Sequence, residues 1–183
     1  DAPAVGGNLQ EHASVQTSHF VDLPTYNTMV GPLRMPFNFL NYLLRGRGPL
    51  AATPVEAMAY LRSEPGLDQP DIKLQFGPMA FDPVKRAPHK RPGVVVYANV
   101  AKPRSRGEIR LRSTDPAHAP VIDHRLLGAP EDLAALVRGL KKVAEIFQAP
   151  ALARHVQGPI APVLQPASDA EWEERIRTTA GIG

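Results

Sequence analysis

The residues best suited to contact a ligand stand near the start of the sequence, in residues 5–12 (VGGNLQEH). Glycines such as Gly7 let a backbone approach a ligand closely. The side chains of Asn8, Gln10 and His12 offer directional hydrogen bonds. The same spacing is also typical of a simple turn, because Gly and Asn favour turns. The segment therefore predicts either a ligand contact or a structural turn.

A second candidate is Gln75, in a segment that alternates apolar and polar residues with period two (DIKLQF, residues 71–76). This alternation predicts a strand with Ile72, Leu74 and Phe76 toward a core and with Lys73 and Gln75 on the other side. Ligand sites use a few placed polar groups, so Gln75 either lines a pocket or faces solvent.

Tyr97 and Asn99 lie in a more continuous apolar run, residues 93–100 (GVVVYANV), which has the length of a strand. Either side chain can face the same pocket as Gln75. Burial in the core is an equally good interpretation, since apolar residues surround both. We therefore keep Gln75, Tyr97 and Asn99 as candidate substrate-pocket residues.

Motifs that carry complete catalytic machinery are missing from the sequence. It has no Gly-x-Ser-x-Gly elbow, no Walker loop, no Gly-x-Gly-x-x-Gly turn and no His-Glu-x-x-His. Without cysteine it has no thiol nucleophile or thiolate ligand. We predict no catalytic residue and no metal ligand. The six histidines, in no recognised metal-ligand pattern, are at positions 12, 19, 89, 118, 124 and 155.

Composition indicates an ordinary globular domain. The 183 residues are 43% apolar and 21% charged, which is enough for one domain with a real core. No apolar stretch approaches the roughly 18 residues of a membrane-spanning helix. The absence of cysteine suits a reducing compartment, and no secretory signal is visible, so a cytoplasmic location is favoured.

The basic residues are unevenly distributed, since nine of the 21 lie in residues 85–112. They predict a basic face. Tyr97 alone among aromatic residues lies between them, whereas a nucleic-acid reader combines basic charge with several stacking aromatics or a known module. We therefore predict no nucleic-acid partner. A non-catalytic module that binds another anionic partner through this face stays an alternative.

Two helices are predicted in the first third of the sequence. Residues 36–45 precede Gly46 and carry apolar and aromatic residues, which is typical of a helix that a glycine ends; among them are Phe37, Leu40, Tyr42, Leu43 and Leu44. The second helix begins after Thr53, with Pro54 at its first position and Glu56 completing a capping box. It should run to about Arg62.

The rest of the pattern predicts a third strand and two more helices. Residues 108–112 alternate before the turn at Asp115-Pro116, and Gly107 permits a turn before them. Residues 131–147 carry an apolar stripe, and Ser168 opens a second capping box that puts Trp172 and Ile176 on one side of a helix. With a further strand near residues 12–22, the fold class is α+β, an antiparallel sheet with helices packed around it.

The order of three segments resembles a known family. These are VGGNLQEH (5–12), SRGEIRLRSTDP (105–116) and RTTAGIG (177–183). They resemble the FAD-dependent glucose-methanol-choline (GMC) oxidoreductases, in the choline dehydrogenase-like and alcohol dehydrogenase-like branch. The resemblance implies a junction from the FAD-binding domain over residues 1–22 and a substrate-binding domain over residues 23–183, ending before the catalytic histidine segment. It also implies that the rest of a longer chain would supply packing neighbours for Trp172, Ile176 and Ile182. Without those neighbours, we expect these three side chains to be exposed.

The resemblance also assigns site residues. The family carries a similar Val-Gly-x-Asn-Leu-Gln-Asp-His junction, which implies FAD contacts for Gly7, Asn8 and His12. Glu11 replaces the usual Asp, so no specific role is carried over to it. Choline-oxidising relatives usually have His where Gln75 stands. Because a glutamine cannot titrate, this difference argues against choline as the substrate.

For the complete enzyme, the resemblance implies oxidation of a primary alcohol to an aldehyde, with a histidine base and hydride transfer to the flavin. The catalytic histidine is expected beyond Gly183 and the main FAD loop before Asp1, so this stretch alone should be inactive. The electron acceptor, oxygen or a quinone, is left open. The second alternative is a hydroxynitrile lyase, since some relatives keep the flavin but cleave hydroxynitriles.

Overall fold

The computed structural model describes residues 2–82, 87–160, 166 and 168–182. Within them, an antiparallel main sheet with helices on one side confirms the predicted α+β class. The strands are β1 Ala13–Val21, β2 Ala57–Leu61, β3 Ile72–Gly77, β4 Gly93–Val100, β5 Glu108–Arg110, β6 Val121–Asp123, β7 Val156–Ile160 and β8 Gly181–Ile182. The helices are α1 Tyr26–Met29, α2 Met35–Arg45, α3 Pro130–Gln148, α4 Pro150–Ala153 and α5 Asp169–Thr179.

The main sheet has the strand order β2-β3-β4-β1-β7, and β8 also pairs with β1. All of these pairings are antiparallel. The predicted strands at residues 71–76 and 93–100, and the further strand near residues 12–22, are confirmed as β3, β4 and β1. Since β1 lies inside the sheet, residues 13–21 pack with the later strands. The domain boundary at residue 22 stays a prediction.

The core lies between this sheet and α3. The predicted stripe is confirmed, since Leu133, Leu136, Leu140 and Phe147 are buried with the core-facing strand residues. Burial of each of these large side chains contributes about 1.5–3 kcal/mol. Gly139 brings α3 close to β3, because a Cβ there would lie 3.1 Å from Ile72 Cγ2.

Helix α5 begins as predicted at the Ser168 cap, whose Oγ accepts a hydrogen bond from the Glu171 N–H over 3.3 Å. The expectation that Trp172 and Ile176 are exposed is wrong. They are 5% and 0% exposed, because α5 packs against α3 and β1 of the same chain. Ile182 is 57% exposed, as expected.

The largest exposed apolar surface lies on α2, the helix predicted at residues 36–45. Gly46 ends it in the left-handed conformation, with φ 60°. Its polar edge faces the protein: Asn38 Nδ2 donates to Met29 O, and Asn41 Nδ2 donates to Arg47 O. Its apolar side chains point outward; those more than one-third exposed are Met35, Phe37, Phe39, Leu40, Tyr42, Leu43 and Leu44.

The helix predicted from Thr53 to Arg62 is wrong, because residues 57–61 form the edge strand β2. The capping box does not form: Thr53 Oγ1 bonds to the Val55 carbonyl over 2.5 Å. The Glu56 N–H instead donates to Phe76 O over 2.9 Å, which starts the ladder with β3. Pairing with β3 thus overrides a local helix signal.

The predicted third strand exists as β5 but is shorter and lies outside the main sheet. It forms a two-stranded hairpin with β6. The interpretation of Gly107 as a turn residue is also wrong, because a Cβ there would lie 2.1 Å from the carbonyl oxygen of Asp123. Position 107 requires glycine because the backbone of Asp123 approaches too closely to leave room for a Cβ.

Candidate functional site

The candidate site is the face of the main sheet that points away from α3. Val15, Leu74 and Ala98 point into the core on the α3 side, so their sequence neighbours point the other way. Part of this second face is covered, since a Cβ on Gly93 would meet Ala80 and one on Gly77 would meet Pro54. The remainder is polar, and we call it the polar wall: Ser14, Gln16, Lys73, Gln75, Tyr97 and Asn99.

The strand register brings the wall residues side by side. Tyr97 lies opposite Gln16 on one neighbouring strand and opposite Gln75 on the other. In the adjacent row, Asn99 lies opposite Ser14 and Lys73. Neighbouring strands are about 4.8 Å apart, so the side chains in a row can contact a single small molecule. The three predicted pocket residues therefore lie on the same side of the sheet.

The edge strand β2 gives the wall a less polar margin. Met58 lies opposite Gln75, and Tyr60 lies opposite Lys73. Both side chains are more than half exposed, at 56% for Met58 and 59% for Tyr60. An apolar or aromatic margin beside a few polar groups is typical of a small-molecule site.

Asn99 lies beneath the accessible surface of the wall, because it is 0% exposed. Its Nδ2 donates to Lys73 O over 3.3 Å and to Gln75 Oε1 over 3.1 Å. Its own Oδ1 is buried without a hydrogen-bond partner among the described residues. Asn99 therefore acts on the accessible surface through Gln75.

The hydroxyls of Tyr97 and Tyr26 stay protonated at neutral pH. Burial raises the pKa of Tyr97. Burial, together with the hydrogen bond and negative charge of Glu56, raises the pKa of Tyr26 to about 12. The Tyr26 hydroxyl bonds to the Glu56 carboxylate. Tyr97 can therefore donate a hydrogen bond to a ligand on the wall.

The predicted cofactor segment forms an exposed loop held at both ends. Leu9 and Gly107 exchange two backbone hydrogen bonds of 2.9 and 2.8 Å, and Gly6 O accepts from the Ile109 N–H over 2.7 Å. Between these anchors, Gly7 and Asn8 are exposed, and Asn8 has a φ of 62°. Backbone hydrogen bonds therefore hold this loop, and a ligand contact by Gly7 or Asn8 stays a prediction.

The predicted cofactor residues Asn8 and His12 differ in exposure and in position relative to the wall. The Asn8 side chain has no hydrogen-bond partner among the described residues, so it is available to a ligand. His12 is half-buried one residue before β1, and β1 continues into the wall through Ser14 and Gln16. The sequence contains no phosphate-binding glycine loop. These residues can therefore contact FAD but cannot hold its pyrophosphate.

The catalytic histidine is expected beyond Gly183, and strand β8 is the last described element before that point. Gly183 itself lies outside the described residues, which end at Ile182. Residues 181 and 182 pair with Ser14 and Ala13 at the start of β1, so the end of the described chain lies beside the row of the wall that contains Ser14. The expectation of a histidine beyond Gly183 stays a prediction.

Sequence reasoning missed Gln16 as a wall residue and did not use Lys73. The signal for Lys73 was present, because the alternation of residues 71–76 put it on the side of Gln75. Gln16 belongs to the alternation of β1, in which Ser14, Gln16 and Ser18 share one face. Its position opposite Tyr97 depends on the pairing of β1 with β4, which no local pattern reports.

The basic residues do not form a single free surface. Arg91 stacks on Phe20, with Cζ 4.1 Å from the ring centroid, and Arg110 pairs with Glu108. Lys85 and Arg86 lie outside the described residues. In the described part of the chain, no three His, Asp or Glu side chains could hold a metal ion together. None of the described helices is long and apolar enough to cross a bilayer.

Comparisons with known proteins identify relatives over nearly the whole chain. A family profile described as GMC oxidoreductase matches residues 103–182. An alcohol dehydrogenase [acceptor] of Pseudomonas putida is 29% identical over 98% of this chain and 33% of its own length. An oxygen-dependent choline dehydrogenase of Rhizobium etli is 32% identical over 96% of this chain and 32% of its own length. The chain thus spans about a third of these curated relatives.

The fold also matches solved structures. A formate oxidase of Aspergillus oryzae superposes with a TM-score of 0.85 at 20% identity, over 100% of this chain and 37% of the oxidase. At this identity the match supports the shared fold.

Proposed function

Because this chain belongs to the GMC oxidoreductase family, we propose that its polar wall forms the substrate side of an FAD-dependent oxidoreductase that converts a primary alcohol to an aldehyde. The observation that carries the proposal is the register that puts Gln16, Tyr97 and Gln75 in one row on an accessible sheet face. Hydrogen-bonding groups placed on rigid strands can hold a small alcohol in one orientation.

The wall residues orient the substrate. Asn99 donates a hydrogen bond to Gln75 Oε1. The two Nε2 hydrogens of Gln75 are therefore free to donate to a substrate oxygen. The Tyr97 hydroxyl supplies a further donor or acceptor. Met58 and Tyr60 offer contact to the carbon part of the alcohol.

FAD, when bound, supplies the hydride acceptor. We propose that Gly7, Asn8 and His12 contact it, and that its pyrophosphate is held by residues outside this sequence. The six wall positions contain no histidine. We therefore expect the proton acceptor to be the catalytic histidine that the family resemblance implies beyond Gly183. A cytoplasmic location remains our expectation, and the electron acceptor is open.

The test uses the complete natural chain that contains this sequence, loaded with FAD. Short and medium-length primary alcohols are mixed with it under anaerobic conditions, and the visible absorbance of oxidised flavin is followed. We expect the absorbance to be lost and an aldehyde to form. An enzyme that cleaves hydroxynitriles while its flavin stays oxidised would contradict the proposal and support the lyase alternative.

A variant pair tests whether the wall is the substrate side. Gln75→Leu removes the donor amide and should raise KM for a good alcohol by about tenfold, as expected for a lost substrate hydrogen bond. The matched control is Gln157→Leu, on exposed β7 outside the wall. Equal effects of the two changes would argue against the wall as the substrate site.

A further inference from the structure

We infer that the polar wall selects uncharged alcohols over cationic ones, and that Lys73 is the residue that determines this preference. The inference rests on the proposed function, because it concerns the substrate of the same site. It is carried by the position of Lys73 on the wall and by the lack of an available carboxylate there.

Lys73 places a positive charge inside the candidate site. It lies on β3, two residues from Gln75 and directly opposite Asn99 on β4. Its side chain is half-buried, and its ammonium group makes no ion pair within the described part of the chain. An unpaired cation in a partly enclosed site repels a positively charged ligand more strongly than it would in bulk water.

Two carboxylates stand just before strands of the sheet at this end of the wall, and both accept hydrogen bonds from residues outside the wall. None of the six wall residues is acidic. Glu56, just before β2, bonds to the Tyr26 hydroxyl. Asp71, just before β3, accepts hydrogen bonds from Ser63 N over 2.7 Å and from Ser63 Oγ over 2.6 Å. No carboxylate of the wall is therefore available to neutralise a substrate cation.

Aromatic rings can bind cations through their faces, so Tyr60 and Tyr97 need separate consideration. Tyr60 lies directly opposite Lys73 in the β2–β3 register, so a ligand cation on that ring would lie near the lysine. Tyr97 lies between Gln16 and Gln75, whose amides are polar but uncharged. This arrangement suits a hydroxyl or another neutral oxygen better than an ammonium group.

The experiment compares two substrates of equal shape in the complete FAD-loaded enzyme. Choline carries a trimethylammonium group, and 3,3-dimethylbutan-1-ol carries an uncharged tert-butyl group in its place. Anaerobic flavin reduction gives kcat/KM for each. We expect the neutral alcohol to be favoured by at least about tenfold, the scale of one repulsive charge contact in a partly buried site.

Variants at Lys73 identify the cause of the preference. Lys73→Met keeps the length and removes the charge, and Lys73→Glu reverses it. We expect the ratio of kcat/KM for choline to kcat/KM for the neutral alcohol to rise about fivefold in the first variant and further in the second. The matched control is Lys142→Met, an exposed lysine on α3 across the sheet from the wall.

A second readout does not depend on turnover. Tetramethylammonium, which cannot be oxidised, is titrated into each enzyme while the spectrum of oxidised flavin and the heat of binding are recorded. We expect tighter binding to Lys73→Glu than to the unsubstituted enzyme, and weakening of that difference at high salt.

The outcomes separate the two proposals. If no alcohol reduces the flavin, the proposed function fails. If alcohols reduce it but choline is as good as its neutral isostere, the inference fails while the function stands. A preference for the neutral alcohol that Lys73→Met leaves unchanged would also overturn the inference, because the selectivity would then come from other residues.

Discussion

Asn99 holds the side-chain amide of Gln75 in one orientation. The carbonyl of Lys73 can only accept a hydrogen bond, so Asn99 must turn its Nδ2 toward it, at 3.3 Å. The same Nδ2 lies 3.1 Å from Gln75, which must then present its oxygen. The Nε2 of Gln75 makes no hydrogen bond within the described residues, so it can donate to a substrate.

The first prediction concerns this coupling. Asn99→Leu should cost about 1 kcal/mol of unfolding free energy, because it removes two modest hydrogen bonds while also removing an unpaired buried oxygen. With Gln75→Leu already present, the cost should be smaller by about 0.5–1 kcal/mol, since the shared bond is then gone. Chemical denaturation of the four complete chains measures this.

The control for this double-mutant cycle combines Asn99→Leu with Gln157→Leu on β7. The losses of unfolding free energy of these two changes should add. Additive costs for Asn99 and Gln75 would show that the two side chains do not interact.

A second prediction concerns Asp132, a buried residue in the first turn of α3. Its carboxylate accepts from Arg104 N over 2.8 Å, from Ser105 N over 2.9 Å and from Ser105 Oγ over 2.5 Å. Asp132→Asn replaces one accepting oxygen by a donor that faces other donors. We expect a loss of about 2–4 kcal/mol of unfolding free energy, from buried groups left unpaired.

Glu131→Gln is the matched control for Asp132, because Glu131 is exposed in the same turn. It should cost less than about 0.5 kcal/mol, as is usual for surface changes. Similar losses for both variants, measured by denaturant titration of the complete chain, would contradict an anchoring role for Asp132.

The third prediction tests the close approach at Gly107. Gly107→Ala puts a methyl group 2.1 Å from Asp123 O, which neither backbone can avoid without moving. We expect a loss of about 3 kcal/mol or more, the range of severe core substitutions. Gly31→Ala is the control, because a Cβ there meets no atom within 4 Å. Thermal unfolding of both variants distinguishes close approach from a general effect of losing a glycine.

The fourth prediction concerns pH and His19, which is 9% exposed and stacks on Phe147 with ring centroids 3.9 Å apart. Burial lowers the pKa of His19 from its ordinary value of 6.5. The unfolded chain therefore binds this proton more readily than the folded chain. The free energy of unfolding should fall as the pH drops below about 6.5, and become constant again below the folded pKa.

His19→Gln removes the titration and keeps a polar side chain. Comparing unfolding at about pH 7.5 and about pH 5.5, we expect a smaller pH-dependent loss in the variant than in the unsubstituted chain. Contributions from the rest of the chain are common to both proteins and cancel in the difference. Identical losses in the two proteins would show that His19 does not contribute.

Much of the fold could be predicted because local patterns agree with it. The stripe of α3, the caps of α2 and α5 and the alternation of β3 all depend on neighbours within a few residues. Residues 57–61 were mispredicted because the capping signal at Thr53 is local, whereas the ladder between β2 and β3 joins residues that are 11 to 19 positions apart. Local propensity is a weak prior when tertiary pairing competes with it.

By itself, the sequence determined the fold class, the family resemblance and the polar identity of Gln75, Tyr97 and Asn99, since residue type and short-range periodicity are local properties. Only the tertiary structure decided which of these side chains meet. The pairing of β1 with β4, and of β4 with β3, puts Gln16 and Lys73 into the same surface and buries Asn99 beneath it. Such contacts depend on strand register between distant segments, and register is set by packing of the whole sheet.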